Sequence, residues 1–196
     1  MIILDLETTG LSPSLNRITE IALIELSSNG GYEEWSSLVN PDVEISSKIE
    51  SLTGITNDMV RSAPSFTSLA NSLYTRLAGK KLVAHNAAFD YGFLQAEFDR
   101  VGLTFEADTV CTVKLSRALY PQHRKHSLSD LINRHSLPIE NRHRALGDAR
   151  ALWHFVQHIQ LEFPPDKLDA IVNRIGGKLR TIDAELADEF SDLMNL

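Results

Sequence analysis

Two carboxylates interrupt an apolar run in the stretch Ile2-Ile3-Leu4-Asp5-Leu6-Glu7-Thr8-Thr9-Gly10. The run predicts a buried β-strand, and residues two apart on a strand project from the same face, so Asp5 and Glu7 share one face. Neighbouring carboxylates in a buried strand repel each other and lose hydration unless a cation lies between them. The pair therefore indicates a divalent metal site if this strand is central, and a solvated acidic pair if it lies at a sheet edge.

The rest of the chain alternates between strand and helix patterns. Further strands are predicted at 18–26, 32–39, 80–85 and 109–113. Helices are predicted at 66–77, after Asn86 (which can cap its helix), and at 114–119, 127–135 and 145–161. A β-meander followed by βαβ units predicts a mixed sheet covered by helices, an α/β domain. Because Phe163-Pro164-Pro165 breaks the last core helix, we predict a domain at 1–163 and a helical C-terminal extension at 164–196.

The charge balance is acidic overall and basic in one segment. The formal net charge is −7, which argues against a protein that coats nucleic acid regardless of sequence, since such proteins are basic. Within 114–144, two acidic residues stand against seven basic ones: Lys114, Arg117, Arg124, Lys125, Arg134, Arg142 and Arg144. Such a local basic rim can steer phosphates while the whole chain stays acidic.

Two features bear on the compartment. Cys111 is the single cysteine and cannot form an internal disulfide, which favours a reducing compartment. The N-terminal residues lack a basic leader, and no apolar run approaches the ~20 residues that span a bilayer. We therefore predict a cytoplasmic protein that does not enter the membrane.

Three more polar residues stand where ligands are bound in α/β proteins. Asp90 begins the helix after the fourth strand, near the carboxyl ends of parallel strands, where such sheets bind ligands. Asp148 borders the apolar stripe of the last core helix, and His143 lies five residues before it on a loop. Each has a plainer explanation alone: the acids suit a first helical turn, and the histidine suits a surface loop.

Together these residues resemble the DEDDh 3′→5′ exonucleases. The family's first motif is matched by Asp5-Leu6-Glu7-Thr8-Thr9-Gly10, its second by His85-Asn86-Ala87-Ala88-Phe89-Asp90, and its third by His143-Arg144-Ala145-Leu146-Gly147-Asp148-Ala149. The resemblance covers about 1–160. The family includes RNase T, oligoribonuclease and the proofreading epsilon subunit of bacterial DNA polymerase III, and the chain is most similar to the epsilon type. The implied fold is ribonuclease H-like: a mixed five-stranded sheet flanked by helices.

The resemblance also implies a catalytic site. Two Mg²⁺ or Mn²⁺ ions per active site would be held by Asp5, Glu7, Asp90 and Asp148. Hard ions of this kind are expected because all the ligand atoms are oxygens. His143 would be the general base that takes a proton from the attacking water, because an imidazole pKa of about 6.5 suits that role near neutral pH. Metal binding is expected to be weak without substrate, whose phosphate completes the coordination.

Contacts with the terminal nucleotide are implied for seven further residues. They are Thr8, Thr9, Gly10, Leu11, Thr53, His85 and Asn86. Leu11 would act as a wedge beneath the terminal base, and Gly10 would allow close approach of the backbone. Thr53 departs from the family pattern, which often has histidine before Gly-Ile.

We therefore expect hydrolysis at the 3′ end of single-stranded or mismatched DNA, with release of nucleoside 5′-monophosphates, in proofreading or repair. An exoribonuclease fits the same motifs, because discrimination depends on contacts with the 2′-hydroxyl. A third alternative is a non-catalytic nucleic-acid-binding or interaction subunit. In the extension, Leu186, Phe190 and Leu193 form an amphipathic stripe that suits packing on the domain itself, or on a polymerase or other protein partner.

Overall fold

The computed structural model describes residues 1–27 and 30–176. These residues form five strands, β1–β5, at Ile2–Thr8, Ile18–Leu26, Tyr32–Leu38, Lys81–Ala84 and Asp108–Cys111. They also form eight helices, α1–α8, at Ser47–Thr53, Asn57–Arg61, Phe66–Leu77, Ala87–Arg100, Thr112–Leu119, Leu128–His135, Ala145–Glu162 and Pro165–Ile175.

The strands form one mixed sheet in the order β3-β2-β1-β4-β5. β1 and β3 pair antiparallel with β2, whereas β4 runs parallel to both β1 and β5. The predicted mixed five-stranded sheet is therefore confirmed, and β1 lies at its centre rather than at an edge. Asp5 and Glu7 are thus part of a central strand, which is the arrangement that favours a cation between them.

Helices cover both faces of the sheet. Ile3 belongs to the hydrophobic cluster formed with α5, α6, α7 and α8, while Leu4 belongs to the cluster formed with α3 and α4. Because side chains alternate along a strand, Asp5 and Glu7 project on the same side as Ile3, toward the face that α7 covers. The strand alternation therefore directs both acids to the helix that carries Asp148.

Local details differ from the predictions at Asn86 and at the end of β5, and the bounds of β3, β4 and α5 shift by one or two residues. Asn86 occupies the N-cap of α4, but its backbone is left-handed, with φ of 69°, and its side chain makes no capping hydrogen bond. The predicted capping position is therefore confirmed, whereas the capping hydrogen bond from the side chain of Asn86 does not form in this left-handed conformation. β5 ends at Cys111, two residues earlier than predicted, because Thr112 already begins α5.

The first part of the C-terminal extension packs on the domain. Pro165 begins α8, whose Leu168, Ile171 and Val172 are buried in the same cluster as α5, α6 and α7. The amphipathic stripe predicted further along lies outside the described residues. Among the helices at 1–27 and 30–176, none is long and apolar enough to cross a bilayer.

Candidate active site

The acids predicted to bind metal converge in the structure. One carboxylate oxygen from each of Asp5, Glu7 and Asp148 lies within 4.8 Å of the others. Asp148 is buried in the first turn of α7, and Asp90 is buried in the first turn of α4. The charge of Asp90 acts on both Asp5 and Glu7. A strand and two helix N-termini therefore bring four carboxylates together, with Asp90 and Asp148 buried and Asp5 and Glu7 partly exposed.

Burial and mutual repulsion raise the pKa values in this cluster. The pKa of Glu7 rises to about 8, first through burial and then through the charge of Asp148. Burial raises the pKa of Asp90 to about 7. Burial, followed by the charges of Asp90 and Asp148, raises the pKa of Asp5 well above its usual range. The cluster therefore cannot be fully ionised near neutral pH without a compensating positive charge.

Arg142 supplies part of that charge. Its guanidinium donates to one carboxylate oxygen of Asp148, and its Nη2 donates to Ser129 Oγ at 3.1 Å. The other oxygen, Asp148 Oδ1, is buried without a hydrogen-bond partner among the described residues. A spare buried acceptor within an acidic cluster fits a hard divalent ion. No sequence pattern indicates this pairing, although Arg142 stands only six residues before Asp148.

A buried carboxylate on β2 fixes the start of α7. Glu20 accepts from Arg144 Nη2 at 2.6 Å and from the backbone N–H of Ala145 at 2.9 Å. Ala145 is the first residue of α7, so Glu20 caps the helix that carries Asp148. Glu20 also lies directly opposite Glu7 in the β1–β2 register. Glu20 was not among the predicted site residues, and its one signal in the sequence is its position as an acid in the apolar run 18–24.

A second buried carboxylate anchors α4. Glu97 is 1% exposed and accepts from Arg17 Nε at 2.7 Å and Nη2 at 2.9 Å. This bidentate pair ties the start of β2 to the helix that carries Asp90. Glu97 was also missed, although it falls on the apolar side of α4 beside Phe93.

The loop before α7 presents His143. This residue is exposed, with a left-handed φ of 60°, and lies two residues before α7 begins. A Cβ on Gly147 would lie 2.1 Å from the carbonyl oxygen of Glu140 and 2.6 Å from that of Asn141. The loop backbone therefore packs directly on the first turn of α7, the turn that carries Asp148. The structure thus places His143 on a loop at the helix entrance, where the sequence predicted it.

The turn after β1 carries four of the predicted substrate contacts. Thr8 Oγ1 donates to the carbonyl oxygen of Gly10 at 2.6 Å, and Thr9 Oγ1 accepts from the backbone N–H of Arg17 at 3.0 Å. These bonds hold the turn against the start of β2. Leu11 follows with 85% of its surface exposed. The turn that follows the strand of Asp5 and Glu7 therefore projects an apolar side chain into solvent.

The remaining predicted contacts lie in different environments. His85 Nδ1 is 3.1 Å from Thr112 Oγ1, and burial lowers the pKa of His85 to about 4, so its ring is neutral near pH 7. Asn86 is exposed at the start of α4. Thr53 is buried at the end of α1, where its hydroxyl donates to Ile49 and accepts from Ile55. The hydrogen bonds of Thr53 thus stay within its own segment.

Comparison with known sequences identifies relatives of this domain. The DNA polymerase III PolC-type of Halalkalibacterium halodurans is 34% identical over 156 residues, which cover 79% of this chain and 11% of the polymerase. The 3′-5′ exonuclease DinG of Staphylococcus haemolyticus is 33% identical over 148 residues, covering 75% of this chain and 16% of DinG. The chain thus spans about a tenth of the length of the PolC-type relatives it matches.

Solved structures share the fold. Exonuclease X in complex with 5′ overhanging duplex DNA has a TM-score of 0.63 and 28% identity, covering 87% of this chain and 98% of that chain. Exonuclease I has a TM-score of 0.74 and 18% identity, covering 86% of this chain and 42% of that chain, a likeness of fold alone. A family model described as exonuclease, RNase T, matches residues 2–155. The chain therefore belongs to the RNase T family of DEDD-type exonucleases.

Proposed function

We propose that this chain is a divalent-metal-dependent 3′→5′ exonuclease that removes nucleotides from DNA ends and releases nucleoside 5′-monophosphates. The observation that carries the proposal is the largely buried cluster of Asp5, Glu7 and Asp148, two of them partly exposed, together with Asp90, whose charge acts on Asp5. The DinG relative is named a 3′-5′ exonuclease, which supports the direction. Exonuclease X with DNA bound supports the substrate class.

Different carboxylates would hold the two metal ions. Asp5, Glu7 and Asp148 would hold one Mg²⁺ or Mn²⁺ ion, and Asp5 would share a second with Asp90. When bound, the two ions supply an activated water and neutralise charge on the phosphate and the leaving oxygen. The raised pKa values of Glu7 and Asp90 support this assignment, since ionised carboxylates here need positive charge.

His143 would take a proton from the attacking water. Its exposed position on the loop before α7 lets the ring reach solvent and substrate, and an imidazole can accept and release a proton near neutral pH. The packing of the loop on Gly147 keeps this base close to Asp148. We assign His143 no role in holding metal.

The turn after β1 would receive the terminal nucleotide. Exposed Leu11 would pack beneath the last base, while the backbone around Thr9 and Gly10 would approach the sugar. Neutral His85 would offer hydrogen bonding rather than charge to the strand. Unlike these residues, Thr53 has its hydroxyl engaged within its own segment. We therefore expect Thr53 to affect nucleotide binding through the shape of its side chain and not through a hydrogen bond.

The biological setting we propose is proofreading or repair in the cytoplasm. The PolC-type relatives contain this domain within a polymerase, which supports action beside a polymerase, joined to it or docked through 164–196. A non-catalytic binding subunit is disfavoured because all four acids and the histidine are present in the expected elements.

The test is digestion of a 5′-labelled oligonucleotide with a protruding 3′ end in Mg²⁺. We expect a ladder of shortened products that EDTA abolishes. Asp148→Ala should lose metal binding, whereas His143→Ala should keep it and lose rate by roughly 10²–10⁴-fold. A ladder that survives EDTA, or a fully active His143→Ala variant, would contradict the mechanism.

A matched RNA oligomer separates the two substrate classes. Faster digestion of DNA than of RNA supports the proposal. The reverse preference would assign the chain to the exoribonucleases, with the same acids and the same general base. Release of nucleoside 3′-monophosphates would refute both assignments, because the cleaved bond would then be the wrong one.

A further inference from the structure

Away from the acidic cluster, three helices end at one place. Tyr120 is the C-cap of α5, His135 is the last residue of α6, and Glu162 is the last residue of α7. Helix C-termini carry partial negative charge and carbonyl groups without helical partners. Their convergence, with a carboxylate at the same point, creates a local environment that favours a cation.

Three metal-ligating side chains meet there. Donor atoms of His135, His158 and Glu162 all lie within 4.8 Å of one another. His158 Nε2 is 3.2 Å from Glu162 Oε2, one turn apart on α7. The hydroxyl of Tyr120 donates to Glu162 and orients its carboxylate. His135 Nε2 is buried and has no hydrogen-bond partner among the described residues.

We propose that His135, His158 and Glu162 form a second metal site that binds a divalent transition ion of the zinc class. Two imidazole nitrogens and one carboxylate are a zinc-type donor set that leaves the fourth position to water. Mg²⁺ prefers oxygen ligands, so it is expected at the acidic cluster and not here. The 3.2 Å between the His158 and Glu162 donors matches the separation of roughly 3.3 Å between tetrahedral ligands with Zn–N bonds near 2.0–2.1 Å.

Aromatic packing alone explains only part of this arrangement. The rings of His135 and His158 lie 4.5 Å apart, and His135 also contacts Tyr120 and Phe155. Such packing accounts for the position of the rings. It leaves unexplained a buried nitrogen without a partner beside a carboxylate that is already oriented. The guanidinium of Arg134, 6.0 Å from the Tyr120 ring, is the charge that opposes a cation here.

Burial also keeps His135 in the form that binds metal. It lowers the pKa of this histidine to about 4, so the ring is neutral at pH 7 and offers a lone pair. An ion at this site would tie the end of α6 to the end of α7. The loop between these helices carries His143, so the ion would stabilise the scaffold of the nuclease site without touching it.

The experiment uses the full chain without a histidine tag, carrying Asp5→Asn and Asp148→Asn so that the acidic cluster no longer binds ions. Equilibrium dialysis is expected to give one Zn²⁺ per chain, and Zn²⁺ but not Mg²⁺ should raise Tm. Adding His158→Gln or Glu162→Gln should weaken Zn²⁺ binding at least ~10-fold. Gln at 162 keeps an acceptor for Tyr120, which preserves the packing. His154→Gln, one turn earlier on α7, is the matched control and should bind normally.

Two results would overturn the proposal. One is a background protein that binds no Zn²⁺ at dialysis concentrations well above those of the protein. The other is Zn²⁺ binding that both His158→Gln and Glu162→Gln leave unchanged, which would place the ion elsewhere. Visible absorption of the Co²⁺-loaded protein gives a second readout, since a four-coordinate site absorbs far more strongly than hydrated Co²⁺. Glu162→Gln in the otherwise unaltered chain should keep its Mg²⁺-dependent nuclease rate.

Discussion

Gly147→Ala tests whether the loop that carries His143 is held by close packing on α7. A Cβ at Gly147 would lie 2.1 Å from the carbonyl oxygen of Glu140, where ordinary contact begins at 3.4 Å. The contact is with backbone, so no side chain can rotate away. The loop must therefore retreat by roughly 1 Å, and overpacking of this kind typically costs about 1–3 kcal/mol.

Two opposing effects set the expected stability of this variant. Alanine in a helix is favoured over glycine by about 0.5–1 kcal/mol, which offsets part of the overpacking. We expect a net loss of up to ~2 kcal/mol in the free energy of unfolding. The effect on rate should be larger, because a misplacement of about 1 Å near reacting groups costs on the order of 10²-fold. His143 lies on the displaced loop and Asp148 follows the substituted residue, so both would be misaligned.

The assay combines urea unfolding with single-turnover digestion of a labelled oligonucleotide. Gly92→Ala is the matched control, because its added Cβ would lie 3.3 Å from Pro13 Cγ, at the margin of ordinary contact. We expect Gly92→Ala to keep full rate with unchanged or slightly increased stability. If folded Gly147→Ala cleaved at the wild-type rate, the loop would not be positioning the reaction. An equal loss in Gly92→Ala would also refute the reasoning.

Three further predictions follow from the charges. Glu97→Gln should lower the free energy of unfolding by about 3 kcal/mol, measured in urea, because Arg17 loses the partner of a buried pair. The metal-free protein should lose stability as pH rises from ~5 to ~8.5, since folded Glu7, with pKa about 8, holds a proton that the unfolded chain releases near ~4.3. Mg²⁺ should remove most of that slope. Arg142→Gln should bind Mg²⁺ more tightly in calorimetry, because no guanidinium then competes for Asp148.

Each of these has a control or a contrary result. Glu34→Gln breaks a more exposed pair with Arg150 and should lower the free energy of unfolding by under ~1 kcal/mol. If Glu97→Gln lowered it by the same amount, burial would not strengthen the Arg17–Glu97 pair. Stability that rises with pH in EDTA would contradict the raised pKa of Glu7. Unchanged Mg²⁺ affinity in Arg142→Gln would mean that the guanidinium does not compete with Mg²⁺ for Asp148.

Much of the fold followed from periodicity, because each central element has one dominant pattern. The apolar run of β1 and the helical spacing at 66–77 predict their elements directly, and both are confirmed. The central position of β1 did not follow from its own sequence. It depends on β4 pairing beside it, and both solvated and metal-binding interpretations of Asp5 and Glu7 were open until that pairing was known.

The missed residues act through long-range pairs. Glu20 and Arg144 are 124 residues apart, and Glu97 and Arg17 are 80 apart, so no local pattern joins them. Each pair looks in sequence like two unrelated charges, one of them misplaced in an apolar run. Only the fold shows that Glu20 caps α7 and that Glu97 anchors α4. The four metal-binding candidates were easier to find because each belongs to a short recognisable motif.

The fold also changes how the basic segment at 114–144 should be weighed. Two of its seven basic residues are committed to the site itself, Arg142 to Asp148 and Arg144 to Glu20. Their charge balances two buried acids. Under the proposed function, any steering of phosphates by this segment would rest on the remaining five, which include Lys114 and Arg117 on α5. With so few free charges in an acidic chain, binding of a strand end should be weak and fall steeply with salt, which suits a nuclease held near its substrate by a partner or a fused polymerase.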